Sequence, residues 1–334
     1  SHLALVRPFG ADPAPYRFPR ADLFTYAVLR VDLPEGPTWV DSSLRLAPFG
    51  QLPPWARGQP AWILPEPGEV PTQVRTPGEP AAPVAPTDPV APASPVAAAT
   101  LAVAEGPTSP REPPAPAARG GLDTREGRTL AFALELSADG SAAGTGRDDH
   151  RGFDAASLKD TLERLDKEER KQAVESMLGR ALRAVALDRL TTEGEGASGG
   201  AATLVYALHG GLARKDGAAL HLPASIFPAR LRRRWAQKAE RTLPLLIDQP
   251  ESSEVISSLL LPAGMHLRAA PAPVILEAPF GKYTWEAREE AGKLRVRETL
   301  LLPQQRIAPA LYAGFASFAR AVDEAQEREL RIAP

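Results

Sequence analysis

Apolar and polar residues alternate most clearly between Arg128 and Leu136. Leu130, Phe132, Leu134 and Leu136 are interleaved with Thr129, Ala131, Ala133 and Glu135. A period of two predicts a half-buried strand, and Ala138-Asp139-Gly140 supplies a turn to end it. The period then becomes helical. Leu158, Leu162 and Leu165 predict a short helix, and Val174, Met177, Leu178, Ala181, Leu182 and Val185 a longer one. Ser157 to Asp160 and Asp166 to Glu169 both have the spacing of a capping box, in which side chains satisfy the first free backbone N–H groups of a helix. After the Gly-rich stretch Glu193 to Gly200, strands are predicted near Thr203 to His209, Ala218 to Leu222, Val255 to Leu261, Met265 to Ala269, Tyr283 to Arg288 and Lys293 to Leu302. The last two should form a hairpin across Glu289 to Gly292. A final helix is predicted just after Pro309, packing Leu311, Phe315, Phe318 and Val322. Runs of strands with one helical insertion and a closing helix predict an α+β domain over 126–334, built on an antiparallel sheet or β-sandwich.

Two further strands are predicted upstream. Tyr26, Val28 and Leu29 to Val31 form one, and Trp39-Val40-Asp41 the other, with Asp41 as a turn-forming end cap. Between residues 65 and 125 the pattern disappears. Pro65 to Gly120 holds fifteen Pro and thirteen Ala, too little large apolar surface to offset the entropy of ordering the chain. Pro77, Pro80, Pro83, Pro86, Pro89, Pro92 and Pro95 recur at every third position. That is the period of polyproline II, so the section is expected to be a semi-rigid spacer of about 60 Å. Three parts are therefore expected: 1–64, a linker over 65–125, and 126–334.

The chain has 334 residues and a formal net charge of -2, which argues against a nucleic-acid partner or a general attraction to anionic membranes. No apolar run reaches the length of a membrane span. The first residues do not read as a signal peptide. With no Cys anywhere, the chain forms no disulfide, offers no thiolate for zinc and supplies no thiol nucleophile.

Phe24-Thr25-Tyr26-Ala27-Val28, Thr38-Trp39-Val40-Asp41-Ser42, Pro48-Phe49-Gly50 and Leu52-Pro53-Pro54 together resemble the second half of the papain-like core of bacterial transglutaminase-like envelope proteins, of the kind with an N-terminal domain of unknown function. In that family a strand with the pattern F-x-H-A carries the catalytic His, and the next strand, ending W-x-D-P-T, carries the Asp. Here Tyr26 occupies the His position and Asp41 the Asp position. Four later motifs resemble the family's C-terminal region in the same order: Glu240-Arg241-Thr242-Leu243-Pro244-Leu245, Leu261-Pro262-Ala263-Gly264, Phe280-Gly281-Lys282-Tyr283, and Ile307 to Tyr312. The resemblance implies that residues 1–64 are a strand remnant of the core, and that the protein belongs to the periplasm or cell envelope. It also implies, as a partner, the upstream half of the same protein or another protein chain.

Tyr in place of His changes the expected chemistry. A Cys-His-Asp site needs an imidazole to move the proton of the thiol. A phenol with an ordinary pKa near 10 is a poor shuttle at neutral pH. The chain is therefore expected to be a non-catalytic binding or scaffolding portion without a cofactor or metal. The alternative is part of a Cys-dependent transglutaminase or protease-like enzyme, completed by an upstream segment that supplies the Cys and using Asp41. Elsewhere, Asp148-Asp149-His150 has suitable metal-ligand chemistry, but consecutive residues do not converge, and a solvated turn is expected. His209, His221 and His266 are isolated and expected at edges. Arg230, Arg232, Arg233, Arg234, Lys238 and Arg241 form one basic cluster around Trp235, a candidate surface for an acidic partner or a salt-bridged face.

Overall fold

The computed structural model describes residues 1–11, 21–43, 45–66, 69–78, 126–179, 182–194, 200–268 and 271–334. Most of the expected polyproline section, and the Gly-rich loop at 195–199, lie outside these residues.

The first part is a five-stranded antiparallel sheet. Its strands are β1 (His2–Val6), β2 (Tyr26–Leu33), β3 (Gly36–Val40), β4 (Pro60–Ile63) and β5 (Thr72–Arg75), in the order β3-β2-β1-β4-β5. Strand β5 lies inside the stretch expected to be spacer. It pairs Val74 with Ala61, and the buried Thr76 hydroxyl donates to the Ala56 carbonyl at 2.6 Å. A single well-placed Val and one hydroxyl are enough to hold four residues on an existing edge, so composition read over the whole stretch missed them.

The register assigns every side chain of this sheet to a face. Tyr26, Val28, Trp39, Ala4, Val6, Ala61, Ile63 and Val74 share one face and pack with Leu52, Trp55 and Ala56 into a small core. The opposite face of β1 to β4 carries Leu3, Leu5, Ala27, Leu29, Val31, Leu33, Gly36, Thr38, Val40, Pro60 and Trp62, with no charged residue among them. It is covered in part, since Phe24 packs edge-on against Trp62 at 6.1 Å; among the described residues Leu3 is 45%, Leu29 37% and Leu33 36% exposed.

The larger part begins with the hairpin of β6 (Gly127–Leu136) and β7 (Ser141–Arg151), followed by helices α1 (Phe153–Glu163) and α2 (Lys167–Leu178). Then come β8 (Arg183–Glu193), β9 (Ala201–Gly211), β10 (Arg214–Asp216), β11 (Ala219–Pro223), helix α3 (Leu231–Trp235), β12 (Leu245–Ile247), β13 (Glu251–Leu260), β14 (His266–Arg268), β15 (Val274–Ala278), β16 (Gly281–Glu290), β17 (Lys293–Leu302), β18 (Gln305–Ile307), helix α4 (Tyr312–Gln326) and β19 (Glu329–Ala333). Eight strands form one sheet in the order β15-β16-β17-β13-β6-β7-β9-β8. It is antiparallel except where β13 lies parallel to β6. Smaller sheets, β10-β11-β19-β14 and β12-β18, join it. The class is α+β, and the β16–β17 hairpin falls where the sequence placed it.

Four expectations need correction. Asp166 and Glu169 do form a capping box at the start of α2, but Ser157 lies inside α1, which starts at Phe153 after Gly152. Helix α2 ends at Leu178, and Val185 belongs to β8, because the chain must turn back to supply an edge strand. On α4 the inward row is Tyr312, Phe315, Ala319 and Val322 with Phe318, whereas Leu311 is 57% exposed. Asp148-Asp149-His150 is not a solvated turn: it lies on β7, with Asp148 fully buried and His150 nearly so.

Candidate functional site

Adjacent antiparallel strands bring residues distant in sequence together, and β2 with the end of β3 does so for Tyr26 and Asp41. The Tyr26 hydroxyl donates to Asp41 Oδ2 at 2.6 Å and lies 3.0 Å from Ser43 Oγ. Asp41 Oδ1 accepts from the Ser43 backbone N–H at 2.8 Å, an Asx-type turn that ends the strand. Asp41 is 5% exposed. Burial above all, then the hydrogen bond and charge of Asp41, push the Tyr26 phenol up to about 12. It is therefore a neutral donor at physiological pH, locked to a carboxylate, with none of the proton-shuttling capacity of an imidazole.

Edge-to-face ring contacts run from this pair into the larger part: Tyr26 to Trp55 at 6.2 Å and Trp55 to Phe153 at 5.1 Å between centroids. Glu126 completes the junction. Its Oε1 accepts from Arg57 Nη2 at 2.5 Å and Gln51 Nε2 at 2.6 Å, and its Oε2 accepts from the Phe153 backbone N–H at 2.9 Å. One carboxylate thus ties the first sheet to the start of α1, where the helix dipole favours a negative charge. A cleft of about 1710 Å³ opens beside it, lined among others by Phe49, Arg57, Glu126, Arg151, Phe227 and Glu251.

A second polar cluster lies within the large sheet. Arg128 Nε and Nη2 donate to the two oxygens of Asp148 at 2.8 and 2.6 Å, a bidentate pair with the Arg128 guanidinium 4.6 Å from the Phe227 ring centre. His150 Nδ1 is 2.5 Å from Asp154 Oδ2. Its Nε2 lies 3.0 Å from Asp148 Oδ1 but makes no hydrogen bond, so that contact is ionic. Burial alone would lower the His150 pKa, yet the two flanking carboxylates outweigh it and hold the imidazole up at about 9. Burial likewise opposes ionisation of Asp148, and Arg128 and His150 overcome it, leaving its pKa below the ordinary range. The cluster neutralises itself, and among the described residues no group of three His, Asp or Glu is arranged to hold a metal. One signal could have found it: polar residues at every second position, Asp148 and His150, on the strand that pairs with Arg128.

The other sequence candidates sit apart. His209 lies beside Asp188, His266 beside Glu289, and His221 between Glu329 and Asp216. The basic cluster is centred on α3, and its Arg234, paired with Glu251, lines the same cleft as Arg57 and Glu126. Sequence reasoning missed a third buried group, Glu298 on β17. It accepts from Ser225 Oγ, from the Tyr283 hydroxyl at 3.0 Å and from Gln326 Nε2 at 2.9 Å. Burial raises the pKa of Glu298.

Residues 218–332 match the family model described as "Domain of Unknown Function with solved-structure structure (DUF3858)". A comparison with curated proteins finds no match. Among solved structures, the chain is similar to one from Parabacteroides distasonis described as a candidate protease, with 11% identity and a TM-score of 0.43. That similarity covers all of this chain, which spans 40% of the other's length. No helix among the described residues is long and apolar enough to cross a membrane.

Proposed function

We propose that this chain is the non-catalytic C-terminal portion of a transglutaminase-like protein and serves as a binding or scaffolding module. On this reading the first sheet seats the upstream half of the same protein or another protein chain. The observation that supports it is the partly exposed face of β1 to β4, with its apolar residues and no charge. A sheet face exposed to water normally alternates to polar residues, and a contiguous apolar patch marks a contact surface. Leu3, Leu29 and Leu33 on that face are 45%, 37% and 36% exposed, so covering each would contribute roughly 1 kcal/mol to association.

Co-expression of the chain with the upstream half tests this. Leu5→Lys and Leu29→Lys, both pointing away from the small core, should abolish co-purification while circular dichroism stays unchanged. Retained co-purification of the doubly substituted chain would discard the reading.

The placement of Asp41 favours a second reading, in which an upstream Cys completes a thiol enzyme. Its carboxylate is fixed by the Ser43 N–H and the Tyr26 hydroxyl, and it could orient an incoming imidazole only by giving up the Tyr26 bond. Amine incorporation or peptidase activity by the co-expressed halves, lost on Asp41→Ala, is the outcome that would support that enzyme.

A further inference from the structure

Between Arg230 and Arg241 the chain carries six basic residues and one acidic residue, Glu240, although the whole sequence has 39 basic and 41 acidic residues. Such a local excess is a feature of this turn and not of the surface at large. The turn is also held rigidly. Leu231 N–H and Arg232 N–H donate to the two carboxylate oxygens of Asp323 at 2.7 and 3.0 Å, and Ala229 N–H donates to Gln326 Oε1 at 2.9 Å. The Tyr312 hydroxyl donates to the Lys238 carbonyl at 2.8 Å. All three anchoring side chains belong to α4 and are buried, as is Leu231. Arg230 has a left-handed backbone, with φ of 53°. A non-glycine residue keeps that conformation only where its surroundings impose it.

The cations on this frame are unequally occupied. Arg234 pairs with Glu251 at 2.5 Å, and Arg241 lies over the Tyr312 ring at 5.3 Å with its buried Nε lacking an acceptor. The Arg232, Arg233 and Lys238 side chains are exposed and make no ion pair among the described residues. Two exposed apolar residues adjoin this frame in the chain, Leu243 two residues after Arg241 and Leu311 next to Tyr312. Leu243 is 74% and Leu311 57% exposed. Leu245 pairs with Ile307 in the β12–β18 ribbon, so Leu243 and the 309–311 turn lie at the same end of it, next to the residue whose hydroxyl holds Lys238.

We propose that this turn is a docking surface for an acidic, leucine-bearing segment of a partner protein. Carboxylates would meet the free forks of Arg232 and Arg233 with Lys238, and apolar side chains would cover Leu243 and Leu311. Five of the six cations are Arg, whose planar guanidinium binds a carboxylate through two parallel bonds, whereas Lys acts as a point charge. A fluid lipid headgroup layer asks only for positive charge, which mobile Lys supplies as well. Forks carried on an anchored backbone turn, at fixed spacing, suit a partner with carboxylates at a matching spacing. This surface is independent of the partly exposed face of the first sheet.

The test is fluorescence anisotropy with the full chain and a fluorescein-labelled peptide of repeating Glu-Glu-Leu-Leu. Binding is expected to weaken at least roughly tenfold in Arg232→Glu/Arg233→Glu, an effect large enough to resolve in Kd. Leu243→Ser should weaken it too, as should raising sodium chloride from about 0.05 to about 0.5 M, which shortens the Debye length. A peptide with Gln in place of Glu should not bind. Equal binding of both peptides, no binding of the Glu peptide, or an unchanged Kd in the Arg double variant overturns the proposal. So does capture of phosphatidylglycerol vesicles in preference to the peptide, which would assign the turn to a membrane surface.

Discussion

Tyr26 and Asp41, fifteen residues apart, are joined by a 2.6 Å hydrogen bond from the phenol to the carboxylate. The bond occupies the oxygen that an imidazole would need, and burial together with Asp41 keeps the phenol protonated. Tyr26→Phe should therefore lower the stability of the first sheet by about 1.5–3 kcal/mol, the net worth of a hydrogen bond to a charged group. Asp41→Ala should cost more, since it also frees the Ser43 N–H. Urea midpoints followed by tryptophan fluorescence would rank the two variants, and a Tyr26→Phe midpoint equal to wild type would refute the structural role.

Charge in the Arg128–Asp148–His150 cluster predicts a stability optimum. His150 has a folded pKa of about 9, above its ordinary 6.5. Its contribution is complete below pH 6.5 and lost as pH rises through about 9. The effect is on the order of 2–3 kcal/mol. Asp148 has a depressed pKa, so its contribution is present above the ordinary carboxylate range and lost as pH falls below it. Thermal melting should show a plateau between the ordinary carboxylate range and about pH 6.5, and a decline from there to about pH 9 that disappears in His150→Asn. Titration of the His150 ring protons by NMR checks the pKa directly.

Glu298 should tolerate an amide but not a hydrocarbon. Glu298→Gln can donate to Ser225 Oγ with its nitrogen while its oxygen accepts from Tyr283 and Gln326, so the change should stay within about 1 kcal/mol. Glu298→Leu strands three buried donors and should cost at least about 3 kcal/mol. Because burial raises the Glu298 pKa, wild type should lose stability relative to Glu298→Gln as pH rises above the ordinary carboxylate range. A difference that does not vary with pH would show that folding leaves the Glu298 pKa unshifted.

Much of the fold was legible before any coordinates. The period-two run at Leu130 to Leu136, the hairpin around Glu289 to Gly292 and the apolar row at Phe315, Phe318 and Val322 each encode their element locally. The errors have local causes too. Helix α4 begins one residue after Leu311, and at its inward position the chain places Tyr312, whose polar tip is needed to hold Lys238. On β7, alternation runs backwards: Asp148 and His150 point inward. Hydropathy alone assigns such residues to solvent, because it cannot know that Arg128 waits across the hairpin.

By itself the sequence determined what chemistry is missing. It has no thiol, and it has Tyr where the resembled family has His. It also determined the α+β class and the basic excess between Arg230 and Arg241. Only the tertiary structure decided which residues meet: Tyr26 with Asp41, Arg128 with Asp148, Glu298 with three donors, Asp323 with the start of α3. It alone decided which face of the first sheet forms the small core and which keeps leucines partly exposed. The reason is physical. A period of two says which side chains share a face, but burial of that face depends on what packs against it. A buried polar group is stable only with a partner, and that partner is chosen by strand register across many residues of chain.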